Sequence, residues 1–316
     1  MVRGRVALVN VAKLIVVLFL VSVVTFLLLE MIPGDPLAAM LPDGATPEMR
    51  AAAAERFGLD GSLLHRYLEW VGNALHGDLG RSMQSQVPVT DAILERLPIT
   101  LELAGLSILV ALLIALPIGV YSGYRPGGNV DRFTTFVCSV TLSIPSFLLG
   151  VLLVFVFAVT LGALPVTGWT PLSDGLGPHI RGLVLPVMTL ASIEAVAFIR
   201  LLRNDMVATL QQDFVLSARA RGIPTTRILT VHAFRPSAFS LVTVLGVSLG
   251  RLIGGTVIVE SLFALPGLGS LVVTAINGRD FLLVQGIVLV IAVAYVLINA
   301  LVDLAYPLLD PRVRSA

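Results

Sequence analysis

Six apolar stretches in this chain are each long enough to cross a lipid bilayer, and they limit what the chain can fold into. They lie at about 9–31, 98–121, 134–161, 183–203, 237–259 and 282–306. About 20 apolar residues in a helix span the hydrocarbon core. Because backbone polar groups find no water there, only helices or closed barrels cross it. The sequence therefore predicts an all-α, polytopic membrane bundle of six transmembrane helices.

The overall composition excludes several other classes of protein. Hydrophobic residues make up 56% of the chain and charged residues 13%, against about 25% charged in soluble domains. A net charge of +1 gives no strong field for binding nucleic acid. Cys138 is the single cysteine, which excludes an internal disulfide and a cysteine-based metal site.

The distribution of basic residues predicts the orientation in the membrane. Arg3, Arg5 and Lys13 precede an apolar run that is too long for a signal peptide, so we expect an uncleaved first helix. Arginines are frequent in the segments that would share one side with the amino terminus, whereas the two short loops opposite hold only Arg181 and Arg279. The positive-inside rule then places both termini and the 204–236 loop in the cytoplasm.

These features divide the chain into predicted segments. Residues 1–8 form a cytoplasmic amino terminus, 9–31 the first span and 32–97 an external segment with helical periodicity. That segment is expected to act as a lid or as a docking surface for a partner. Residues 98–316 form a membrane core, which holds the other five spans, the 204–236 loop and a cytoplasmic tail.

The chain lacks the usual motifs for nucleotide or metal binding. Its only lysine, Lys13, follows Ala12 and not the glycine of a phosphate-binding loop. The four histidines lack zinc-site spacing, so we expect neither a metal nor a cofactor. Residues 246–250 match a nucleophile-elbow pattern but lie inside a span. Gly246, Gly250 and Gly254 instead predict a smooth face for helix packing.

Charged residues inside the predicted spans are candidates for function. Glu194 and Arg251 lie deepest, and counting helical rise places them close in depth. We expect either an ion pair or separate roles along a translocation path. Glu102, Glu260 and Asp303 lie nearer to span ends, where interfacial or capping roles are expected.

The 204–236 loop is longer than a simple connection requires. Residues 205–221 have helix-forming composition, and Gly222 followed by Pro224 is a stop signal. A second short helix is predicted to begin at Pro224 and to lead through Pro236 into the fifth span. The loop is therefore expected to form a stiff cytoplasmic elbow.

The elbow resembles the EAA loop of bacterial ABC importer permeases, and more narrowly the first permease of the dipeptide, oligopeptide and nickel group. The stretch from Asp213 to Gly222, with His232 and Pro236, carries this likeness. Further matching stretches are 33–36, 97–104, 143–147, 164–168, 266–269, 279–281 and 309–312.

The resemblance implies a type I importer permease of the MetI-like fold in a bacterial plasma membrane. Its partners would be membrane lipid, a second homologous permease, one or two ATPase subunits that bind ATP and magnesium, and an extracytoplasmic binding protein. The permease itself would not be an enzyme. The implied ATPase-coupling residues are Asp213, Ser217, Ala218, Arg219, Ala220, Arg221, Gly222 and His232.

Several functions stay open at this point. The resemblance favours di- or oligopeptides as substrates and leaves nickel, glutathione or another small solute as alternatives. A self-sufficient secondary transporter would be favoured by internal repeats or a proton relay, and neither is present in the sequence. A membrane-embedded enzyme would need a nucleophile or a paired-carboxylate site, and no convincing one is found.

Overall fold

A computed structural model describes residues 2–30, 45–57 and 60–309, which form thirteen α-helices and no extended strand. The predicted motifs at 33–36 and 310–312, and the side chains of Arg3, Arg5, Lys13 and Asp303, lie outside the described residues. The helices are α1 (Val2–Glu30), α2 (Pro47–Arg56), α3 (Leu63–Leu75), α4 (Val89–Tyr124), α5 (Asn129–Ser143), α6 (Ser146–Leu153), α7 (Leu176–Leu210), α8 (Asp213–Ala220), α9 (Thr225–Arg227), α10 (Phe234–Gly255), α11 (Val257–Leu262), α12 (Leu268–Asn277) and α13 (Phe281–Leu309).

Four stretches of the described residues are long and apolar enough to cross a membrane. They are Val89–Tyr124, Leu176–Leu210, Thr225–Gly255 and Phe281–Val302, and the bent pair α5 and α6 makes a fifth if it crosses as one span. The apolar part of α1, Leu14–Leu27, is shorter. The all-α membrane fold is thus confirmed, and the count of six spans stays a prediction.

The third predicted span, 134–161, is sharply bent in the structure. α5 and the helix that continues from Ser146 to Thr160 meet at 106°. Ile144 takes an extended conformation, with ψ of 123°, because the ring of Pro145 disfavours helical geometry in the residue before it. Beyond Leu153 the helix widens into a π-helical segment, Val154–Thr160.

The chain divides into two compact units, of which the larger comprises residues 101–265 and 301–316. α7 is its central helix: about two-thirds of its most apolar stretch is buried, against a third or less for the other three long apolar helices. Three apolar clusters form around α7, centred on Leu185, Phe198 and Met206. α7 is therefore positioned by packing along its whole length.

The smaller unit comprises residues 1–100 and 266–300. α2 and α3 fall in the predicted external segment and begin at Thr46 and Ser62, whose side chains accept backbone N–H groups as helix caps. The Tyr67 hydroxyl of α3 lies 2.8 Å from the Ser22 hydroxyl of α1, and the Tyr67 ring meets Phe26 edge to face.

Candidate coupling segment and translocation path

The elbow contains a short helix, α8, that packs against the C-terminal end of α7. α7 ends at Leu210, Gln211 and Gln212 break the helix, and α8 begins at Asp213. The Gln212 carbonyl accepts the N–H of Val215 at 3.0 Å, and the carboxylate of Asp213 lies in the first turn, where a helix N-terminus favours negative charge. The single helix predicted over 205–221 is therefore two helices.

α8 ends in the way that the stop signal predicted. Gly222 has φ of +72°, a left-handed conformation that costs a residue with a β-carbon about 1–2 kcal/mol. Its N–H donates to the Arg219 carbonyl at 2.9 Å, and the Ile223 N–H donates to the Ala218 carbonyl at 3.2 Å. These two bonds satisfy carbonyls at the helix end and fix the direction of the chain.

The predicted second short helix is not a separate element. α9 begins after Pro224 and continues through a π-helical segment, Ile228–Ala233, into α10. The prediction that Pro236 leads from one helix into another is wrong, because Pro236 lies within the first turn of α10. The π-helical segment ends at Ala233, three positions before this proline, which has no N–H to donate.

The two faces of α8 have different environments. Its inner face buries Val215 and Ala218 in a cluster with Met206, Leu210, Ile228 and Ala233. Ala218 was expected at the docking surface, and its position is a correction: its small side chain lets α8 pack on its own chain. The predicted coupling residues on the exposed surface are Asp213, Ser217, Arg219, Ala220, Arg221 and Gly222, while His232 is half-buried.

Glu194 and Arg251 form an ion pair between α7 and α10. The Arg251 Nη2 donates to Glu194 Oε1 at 2.6 Å. Glu194 is almost fully buried, whereas 60% of the Arg251 side chain is exposed. The structure therefore forms the pair that counting helical rise predicted, with the carboxylate inside and the cation at the surface of the unit.

The predicted glycine face is only partly buried. Gly246 and Gly250 are buried and Gly254 is exposed. A β-carbon on Gly246 would overlap the side chain of Val302 on α13. Gly246 thus permits the close helix approach that its spacing predicted.

The described part of the chain offers no metal site, since no three His, Cys, Asp or Glu side chains gather there.

The chain matches two families of membrane transport components. Residues 115–315 match the family described as binding-protein-dependent transport system inner membrane component, and residues 4–104 match the N-terminal region described for such membrane components. The chain belongs to this family. The resemblance predicted from the sequence is thereby confirmed, and the chain is a membrane-spanning permease component of an ABC importer.

Relatives of this permease cover nearly its whole length. A permease protein of Brucella abortus is 39% identical over 96% of this chain and 97% of its own length. The oligopeptide transport system permease protein of Bacillus subtilis is 34% identical over 93% and 94%. The dipeptide transport system permease protein of Escherichia coli is 32% identical over 93% and 94%.

Solved structures support the fold of the permease. The inward-facing MetNI methionine ABC transporter matches with a TM-score of 0.56 and 20% identity, over 69% of this chain and 96% of that chain. An amino acid ABC transporter crystallised with histidines matches with a TM-score of 0.53 and 15% identity, over 69% and 94%. At these identities the likeness shows the fold alone.

Two polar contacts of the permease core were not predicted from the sequence. Arg203 of α7 pairs with buried Asp131 of α5. His179 of α7 lies between the Thr170 carbonyl, 2.8 Å from Nδ1, and Glu102 of α4, 2.7 Å from Nε2. The Arg203 to Asp131 and His179 to Glu102 contacts join residues 72 and 77 positions apart, in helix pairs whose neighbourhood the sequence did not specify. The sequence feature that could have pointed to these contacts is the presence of charged or titratable residues within apolar helices.

Proposed function

We propose that this chain is one permease half of an ABC importer of di- or oligopeptides. The observation that carries the proposal is similarity over nearly the whole chain to permeases named for di- and oligopeptide transport, at 32% to 34% identity. A di/tripeptide transport system permease protein of Pseudomonas aeruginosa is 35% identical over 95% of this chain. None of these three relatives is named for transport of nickel or glutathione.

The proposed assembly contains four kinds of subunit. A second, homologous permease completes the path, ATPase subunits bind ATP and magnesium on the cytoplasmic side, and an extracytoplasmic binding protein delivers the solute. This chain is a non-catalytic subunit that binds no cofactor, in keeping with a single lysine outside any phosphate-binding motif. Selection of the peptide then rests mainly on the binding protein.

The orientation of the chain follows from its arginines. With α8 in the cytoplasm, Arg125, Arg132, Arg219 and Arg221 lie on the same side as both termini, as the positive-inside rule requires. α2 and α3 are then on the outer face of the bacterial inner membrane, where the binding protein arrives.

The elbow is proposed to transmit closure of the ATPase subunits. Its exposed face offers small side chains, Ser217 and Ala220, between the cations Arg219 and Arg221. Its buried face packs Val215 and Ala218 against residues of α7 and of the π-helical segment that leads into α10. Because packed interiors transmit displacement, a push on α8 moves the cytoplasmic ends of two membrane helices together.

Reconstitution of the full complex tests the proposed function. The chain is co-expressed with a second permease, the ATPases and the binding protein from the same gene neighbourhood, and the purified complex is placed in liposomes. We expect import of radiolabelled dialanine that requires ATP and the binding protein. Import by this chain alone without ATP, or an intact complex that hydrolyses ATP but imports no peptide, would overturn the proposal.

A further inference from the structure

The Arg251 guanidinium is held in the middle of the membrane by a buried carboxylate. Glu194 lies about 27 Å from the beginning of α7 and about 24 Å from its end, at 1.5 Å per residue, so it is near the centre of the span. The 2.6 Å bond to Glu194 Oε1 fixes the guanidinium at that depth. A cation there avoids hydrocarbon and faces either water or another polar group.

The surface around Arg251 differs from the apolar surfaces of the same unit. On α10 the exposed face continues from Val247 to Arg251 and on to Gly254 and Gly255, spaced by about one turn. A β-carbon on Gly255 would meet no atom within 4 Å. α7, which packs against α10, exposes only small or polar side chains over this depth and towards its C-terminal end: Ala197, Arg200, Asn204 and Ala208.

The bent pair α5 and α6 provides the contrast. Its exposed side chains include Phe133, Phe136, Phe147 and Phe155, which suit lipid tails or an apolar neighbour. The exposed residues of α7 and α10 named above combine two arginines, an asparagine, glycines and alanines with one large apolar side chain, Val247. Such a face suits a water-filled path better than lipid.

The hydrogen-bonding capacity of the pair is only partly used. A guanidinium has five N–H donors, and of those on Arg251 only one, on Nη2, bonds to a residue in the described part of the chain. The second oxygen of Glu194, Oε2, is buried and has no partner among the described residues. Arg251 is therefore anchored at one nitrogen while its other donors are free to bind a further anion.

We propose that Arg251, positioned by Glu194, is a transient binding site for the C-terminal carboxylate of a peptide in transit. A guanidinium binds a carboxylate through two parallel N–H groups, and every linear peptide with a free C-terminus carries that group whatever its side chains. The negative charge of Glu194 partly offsets the cation, so that the solute can leave again, as conduction through a path requires. This inference rests on the proposed peptide import function.

The test compares two probes in the reconstituted complex. Radiolabelled dialanine and its C-terminal amide are supplied at concentrations that saturate the binding protein, whose affinity for each is measured separately. The variants are Arg251→Gln, Arg251→Lys and, as a matched control in the same helix pair, Arg181→Gln, whose exposed side chain donates to the Ala163 carbonyl. The yield of assembled complex is measured for each variant.

We expect Arg251→Gln to lower the ratio of dialanine import to amide import about tenfold, and Arg251→Lys to restore at least a third of the wild-type ratio because it keeps the cation. Arg181→Gln should leave the ratio within twofold. Three results for Arg251→Gln would overturn the inference while peptide import by the wild type stands. They are an unchanged ratio, an equal loss of import for both probes, and loss of the second permease on purification. Failure of the wild type to import either probe would instead count against the proposed function.

Discussion

Arg203 holds the buried carboxylate of Asp131 through two parallel hydrogen bonds. Its Nε lies 2.6 Å from Oδ1 and its Nη2 lies 2.8 Å from Oδ2. The Gly127 N–H also donates to Oδ2 at 2.8 Å. One carboxylate therefore ties α7 to the beginning of α5 and to the turn that follows α4.

Asp131→Asn should destabilise the protein by about 3 kcal/mol, because removing one partner of a buried pair leaves the other charge uncompensated. Thermal unfolding of the purified complex measures the effect. Asp131→Asn combined with Arg203→Gln should cost less than the sum of the two single changes. Additive costs would contradict the direct coupling between these two residues. Asp174→Asn, at an exposed carboxylate, serves as the control and should change stability by less than about 0.5 kcal/mol.

Ala220→Glu should abolish ATP-driven uptake, because a bulky charge on the exposed face of α8 cannot be buried unpaired in a packed contact. Co-purification of the ATPase subunits and uptake of dialanine are the measurements, and we expect both to fall at least tenfold while the chain still enters the membrane. Ala51→Glu places the same charge on the exposed surface of α2 and should leave both within twofold. Normal ATPase binding by Ala220→Glu would rule out α8 as the coupling element.

The long apolar helices and the Glu194 to Arg251 pair could be predicted from sequence because both depend on distances along a helix. Hydropathy locates α7 and α10, and a fixed rise per residue gives the depth of a charge within each. The end of α8 was predictable for a similar reason, since Gly222 meets a local backbone requirement that glycine satisfies best.

The bend between α5 and α6 could not be inferred from proline alone. Pro145 breaks its span, whereas Pro186 lies inside α7 with the helix intact. Inside a membrane protein, neighbouring helices and side chains decide whether the freed carbonyl is satisfied or the helix breaks. The Asp131 to Arg203 contact was hidden for a related reason, because it depends on which helices become neighbours.

Asp280 is another buried carboxylate, and its replacement should loosen a defined segment. Its Oδ1 accepts the N–H groups of Met83 at 3.0 Å and Leu283 at 3.2 Å, and its Oδ2 accepts the Ser82 hydroxyl and the Gln84 N–H. Asp280→Asn turns an NH₂ group towards these donors and should cost about 2 kcal/mol.

Hydrogen exchange at Met83 and Gln84 checks this prediction. We expect their backbone amides to exchange at least tenfold faster in Asp280→Asn. The exposed carboxylate of Asp60 gives a control, since Asp60→Asn should leave both rates unchanged. Exchange that stays slow in Asp280→Asn would mean that the segment is held by its other contacts.

Gly246→Ala tests the close approach of α10 and α13. The new β-carbon would lie 2.9 Å from Cβ and 3.0 Å from Cγ1 of Val302, and the Val302 Cβ is fixed to the backbone and cannot rotate away. We expect a loss of about 1–3 kcal/mol from overpacking, measured by thermal unfolding of the complex. Val302→Ala in the same chain should recover only part of that loss, because it removes the two overlapping methyl groups and leaves the Val302 Cβ in place. Gly255→Ala is the control and should change stability little, because its β-carbon meets open space. Equal losses of stability at both glycines would show that Gly246 provides backbone freedom and not the contact with Val302.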